Sequence, residues 1–211
     1  MNLVDLIEKR RFVGREFLVW LWFESELADG QLFAPGFGRC EVRLEGQITL
    51  VCDKEQSRLK GVSPSGEPEA REALRQGKLP TQARVRVSAG ELEYAFLFHA
   101  DTLALGAIKI PNVMKDEAEE QFYERMYLVE ELEAFFAALY GQFIAIRLST
   151  LWPEHVLPAI TSWIRGEEME SPEAHRELLA KVPPLGQGKR PATVPPPASG
   201  EAPNRTTRQV A

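Results

Sequence analysis

The sequence predicts an α+β protein: a mostly antiparallel sheet with an inserted short helix, packed by a buried N-terminal helix and a long C-terminal amphipathic helix plus short helices. Three observations lead there. Residues 5–26 contain no helix breaker but Gly14, and from Phe17 to Phe23 they are apolar nearly all round, the pattern of a helix buried on several sides. Residues 39–111 alternate period-two segments with turn signals at hairpin spacing, which favours antiparallel neighbours. Residues 115–147 place Phe122, Met126, Leu128, Val129, Leu132, Phe135, Phe136, Leu139 and Phe143 at spacings of three and four, one apolar face of a long helix.

Taken in order, Gly30 and the Pro35-Gly36-Phe37-Gly38 cluster form a loop after the first helix. Residues 40–44 alternate as a strand, Glu45-Gly46 reads as a hairpin turn, and residues 48–52 return. Residues 61–66 are a loop, and residues 67–76 a short charged helix closed by Gly77. Strands are expected at 83–87, 92–99 and 103–110, with a turn at Ala89-Gly90 and a stop at Pro111. The long helix opens on Asp116, Glu117, Glu119 and Glu120, which suit the positive end of a helix dipole. Gly141 is placed to kink or end it, and short helices follow at 155–163 and 172–179. From Pro183 onward large apolar residues nearly vanish. Such a stretch cannot bury enough surface to offset its ordering entropy, so residues 183–211 are expected to be a disordered tail after a single domain at 1–182.

Composition narrows the function classes. The 211 residues carry a formal charge of -6, so the whole molecule is no polycation, and any affinity for nucleic acid must come from a local basic face. Cys40 and Cys52 are too few for a disulfide framework and show no CxxC spacing. The most apolar run, residues 17–23, is far shorter than the roughly 20 residues a bilayer span needs. The expected location is the cytoplasm, away from any membrane.

Catalytic motifs are not found. No phosphate-binding glycine loop occurs, and residues 61–66 exceed GxSxG by one residue with Pro64 between the serines. His99, His155 and His175 show neither HExxH nor the Glu-x-x-His spacing of helical metal sites. The acidic run at 116–120 reads as a solvated helix start more readily than as a cation site. A non-enzymatic protein without a cofactor is therefore expected. Basic residues gather instead: Arg84 and Arg86 project from one face of a strand, Arg71 and Arg75 lie one turn apart on the short helix, and Lys78 follows it. Arg43, Lys54, Arg58 and Lys60 lie nearby, with Glu41, Glu45, Asp53, Glu55, Glu69 and Glu72 interleaved. The cluster is either a phosphate-tracking surface or the solvated outer face of a half-buried sheet.

Two stretches resemble the recombination-associated RdgC family. One is Phe12-Val13-Gly14-Arg15-Glu16-Phe17-Leu18-Val19-Trp20-Leu21-Trp22; the other is residues 70–87, with Gly77-Lys78-Leu79-Pro80-Thr81 and the basic strand after it. The similarity covers roughly residues 12–111. It implies sequence-nonspecific binding of double-stranded DNA by a homodimer that modulates recombination, alone or with a recombination protein as partner. Lys78, Arg84 and Arg86 would be the phosphate contacts, with Arg71 and Arg75 as second choices. Trp20 and Trp22, inside an apolar helix, are assigned to packing rather than to base stacking. The acidic helix at 115–147 has no counterpart in the resemblance, and the rival reading is a protein-interaction module whose working surface is that helix.

Overall fold

The computed structural model describes residues 3–27, 29–52, 55–62, 64–115, 117–167 and 171–183, with side chains from Val13 onward. Helix α1 (Leu3–Leu27) leads into strands β1 (Gln31–Ala34), β2 (Gly38–Cys52) and β3 (Glu55–Gly61). Helix α2 (Pro68–Arg75) precedes β4 (Leu79–Ala89), β5 (Leu92–His99) and β6 (Ala104–Lys109). Helix α3 (Ala118–Arg147), a wide turn at Trp152–Val156, α4 (Leu157–Arg165) and α5 (Pro172–Ala180) complete the described chain. The expected α+β class is found, and every strand pairing is antiparallel. The tail expected from residue 183 and the acid at Asp116 lie outside the described residues, Pro183 excepted.

The six strands run in the order β1-β2-β4-β5-β6, with β3 also on β2. Residues 40–44 and 48–52 are one long strand, not the two arms of a hairpin. Leu44 pairs with Val85 and Ile48 with Ala83, so Glu45, Gly46 and Gln47 together face the single residue Arg84. The reason is conformational. A two-residue hairpin of the favoured primed type I geometry needs positive φ at both central residues. Here only Gly46 has it, at 74°, and one left-handed residue suits a bulge. Valine, leucine and isoleucine on both sides of the bulge then keep the same face buried: Val42, Leu44, Ile48 and Leu50. Strands β1 and β3, which the sequence pattern did not disclose, cover successive halves of the outer edge of β2.

Helix α1 lies against β2 and β4, with α3, α4 and α5 around it. Phe17 meets the rings of Phe98, Phe136, Tyr140 and Phe143 at centroid distances of 5.3–5.6 Å. Trp20 and Trp22 are both buried, as their place in an apolar helix predicts. At Gly14 the helix comes so close to the β5–β6 turn that a Cβ would stand 1.9 Å from the Ala100 carbonyl oxygen. Among the residues of α1 whose side chains are described, each charged one ties down a different element. Arg15 pairs with Asp101 after β5 (2.7 Å), and Glu16 with Arg147 at the end of α3 (2.9 Å). Glu24 is hydrogen-bonded to His175 of α5 (3.0 Å), both buried, and Glu26 pairs with Arg71 of α2 (2.7 Å).

Helix α3 runs through Gly141 without ending. Its buried side begins only at Leu128. Phe122 and Met126, expected on the apolar face, are 58% and 46% exposed, because the helix joins the core only from Leu128 onward. Both cysteines are free, and burial pushes the Cys40 thiol up to about 11. Among the described residues no single helix is long and apolar enough to cross a membrane.

Candidate nucleic-acid interface

Among the described residues, the helices pack on one face of the sheet and leave the other without them. Because paired residues of antiparallel strands project to the same side, the register sorts the cations. On the open face Arg43 lies opposite Arg86, Arg86 opposite Ala95, and Ala95 opposite Lys109. Arg58 and Lys60 of β3 lie opposite Thr49 and Gln47 on that same face. Arg84 sits between, opposite Leu97 on one side and the β2 bulge on the other. Glu41, Glu45 and Glu93 are the carboxylates interspersed with them.

Four strands are also joined by a polar chain. Arg58 Nη2 donates to Gln47 Oε1 (2.6 Å), Gln47 Nε2 donates to Gln82 Oε1 (3.2 Å), and the Gln82 amide nitrogen lies 3.2 Å from His99 Nδ1. This holds His99 in the sheet surface, as a structural histidine would be. Next to this chain is an open groove of about 530 Å3, lined by Glu45, Gly46, Arg84, Arg86, Glu93 and Lys109 among others.

The groove's cations differ in what they face. Arg86 Nε lies 3.0 Å from Glu45 and its Nη1 3.6 Å from Glu93. Arg43 is bonded to Glu41, which raises its pKa, with Asp29 and Glu45 adding to the effect. The Arg84 guanidinium and the Lys109 ammonium have no hydrogen-bond or ion-pair partner among the described residues. The missing side chain at Gly46 makes room for Arg84: a Cβ there would lie 3.3 Å from Arg84 Cδ.

The remaining expected contacts lie on the other side of the sheet. Lys78 is 13% exposed, with Nζ 3.0 Å from Ser57 Oγ and 3.5 Å from Glu55. Arg71 donates to Glu26 Oε2, which also accepts the Trp163 indole N–H (2.9 Å), while Glu26 Oε1 accepts that of Trp22 (2.7 Å). The Arg71 guanidinium lies 5.7 Å from the Trp163 ring. Arg75 donates to the Ile164 carbonyl (2.8 Å) and lies 3.5 Å from Glu72. The structure therefore brings Arg84 and Arg86 together and separates them from Lys78, Arg71 and Arg75.

Lys109 escaped the sequence reading for a reason in the backbone. Phe98 pairs with Leu105 and Leu97 with Gly106, yet Ala95 pairs with Lys109. The irregularity at Ala107, with φ 46°, inserts one residue and turns Lys109 from the helix side to the open side. No cluster of three or more metal-ligating side chains occurs among the described residues. No protein-family model matches the chain, and no curated protein is detectably similar to it in sequence.

Proposed function

We propose that the open face of the sheet binds the phosphate backbone of duplex DNA without reading bases. The observation that carries this reading is Arg84: an arginine with no acidic partner among the described residues, lining a groove that Arg86 of the same strand and Lys109 of β6 also line. Cations are spread from β3 across β2 and β4 to β6. At about 4.8 Å between strands this is a span of about 19 Å, enough to meet several phosphates along one duplex. A chain whose total charge is -6 gains no such affinity from its net charge, so the interaction depends on this local face. Arg86 can contribute only by exchanging Glu45 and Glu93 for phosphate, which makes it the weaker contact. The resemblance of residues 12–22 and 70–87 to the RdgC family supports the same reading, and extends it to a homodimer that modulates recombination.

The test is fluorescence anisotropy of a labelled duplex of about 30 base pairs, titrated between about 50 and 200 mM salt. Binding should weaken with salt at a slope of about -0.9 per phosphate contacted, and Arg84→Glu should reduce it at least about tenfold. Absence of binding at the low salt, or binding that ignores both salt and Arg84, would sink the proposal.

A further inference from the structure

A second surface, independent of the DNA reading, is the uncovered start of α3. We infer that the outward side of this helix, between Glu119 and Ala137, docks a basic amphipathic helical segment of another protein. At about 100° per residue, Phe122, Tyr123, Met126 and Tyr127 fall on one side of α3. Leu128, Leu132, Phe135 and Leu139, which are buried, fall on another. The four exposed side chains are 46–61% accessible, and Phe122 and Tyr123 touch each other with ring centroids 5.8 Å apart. Exposed Ala134 and Ala137 continue the same side toward the body, where small residues permit close approach of a second helix.

Charge selects the occupant. Glu119, Glu130 and Glu133 lie on that outward side and are exposed, whereas Arg125 falls on the turn of the helix away from it. A second copy of this chain would set these carboxylates against their own kind. A partner with lysine or arginine flanking its apolar stripe would neutralise them, at the spacing one helix presents to another. The surface is also held in shape before any partner arrives. Glu124 accepts the backbone N–H groups of Met114 (2.9 and 3.0 Å) and Lys115 (3.1 Å), and Gln121 Nε2 donates to the Lys115 carbonyl (3.0 Å). A stapled helix end loses little conformational entropy on binding.

The probe is a fluorescent Lys/Leu amphipathic helix of about 18 residues, matching the roughly 27 Å from Glu119 to Ala137. Controls are a Glu/Leu helix and a scrambled Lys/Leu peptide. The full chain should bind the Lys/Leu helix alone. Affinity should fall at least about tenfold both in Phe122→Ser/Tyr127→Ser and in Glu119→Lys/Glu130→Lys/Glu133→Lys, with circular dichroism unchanged in each. Equal binding of the scrambled peptide, or either variant binding like the parent, would overturn the inference. So would sedimentation showing a dimer that the Phe122/Tyr127 variant dissolves and the peptide does not, since a second copy would then own the face.

Discussion

The two sides of the sheet use arginine in opposite ways. On the helix side Arg71 closes onto Glu26, beside two indole N–H donors aimed at the same carboxylate. Arg75 closes onto a carbonyl of α4, and Lys78 is nearly covered beside Ser57 and Glu55. On the open side Arg84 meets no carboxylate among the described residues, and Arg86 shares two that are partly exposed. Residue type does not separate these groups. What separates them is chiefly the partner opposite: a half-buried carboxylate shared with two indole donors ties helices together, while a more exposed pair contributes little to stability and can exchange partners.

The largest expected effect is on the closed side. Glu26→Leu strands the Arg71 guanidinium and two indole donors, and should lower unfolding free energy in urea by about 2–3 kcal/mol, discounted from a fully buried pair because both side chains retain some exposure. DNA affinity per folded molecule should stay at the parental value; a loss there would mean the two sides are not separate. Next comes Gly46→Ala, which forces a left-handed conformation on a residue with a Cβ and crowds Arg84. It should cost about 1–2 kcal/mol in a thermal melt and weaken DNA binding as well, linking the bulge to the groove. Arg84→Glu should leave the melt nearly unchanged while reducing duplex affinity by about tenfold, or about 1.4 kcal/mol. A smaller effect belongs to Arg86→Ala, worth under about 1 kcal/mol in stability and a smaller affinity loss than Arg84→Glu in the same titration. A larger loss at Arg86 than at Arg84 would reverse the ranking that partnering predicts. Lys78→Met, on the helix side, should bind DNA as the parent does.

Much of the fold was legible in residue order, the contrast between the two sides was not, and what stayed hidden has a common cause. The apolar run 17–23, the helix of 30 residues and the strand at Leu92–His99 follow from local periodicity, which sequence displays directly. Arg84 and Arg86 on one face follow from the same rule. Whether Arg71 faces solvent depended on Glu26, far away along the chain and supplied by another helix. Lys109 depended on one irregular residue at Ala107, since a single insertion reverses every side chain beyond it. The Glu45-Gly46 pair looks alike as a turn or a bulge; the choice lay in whether β4 was long enough to hold both halves of β2. The exposed Phe122 and Met126 keep perfect helical spacing, and only the extent of the body beneath them decides that they stay uncovered.

The central place of α1 bears on how the chain reaches this fold. The helix precedes every other described element, yet its apolar surface is covered by β4, α3 and α4, and its ion pairs reach Arg147 and Arg71. During synthesis it leaves the ribosome long before those partners exist. Contacts so distant along the chain also slow folding, since loop closure must precede the contacts that reward it. Residues 17–23, with Trp20 and Trp22, thus spend the interval as the most adhesive stretch of the nascent protein, a natural handle for chaperones and the first place from which aggregation would start.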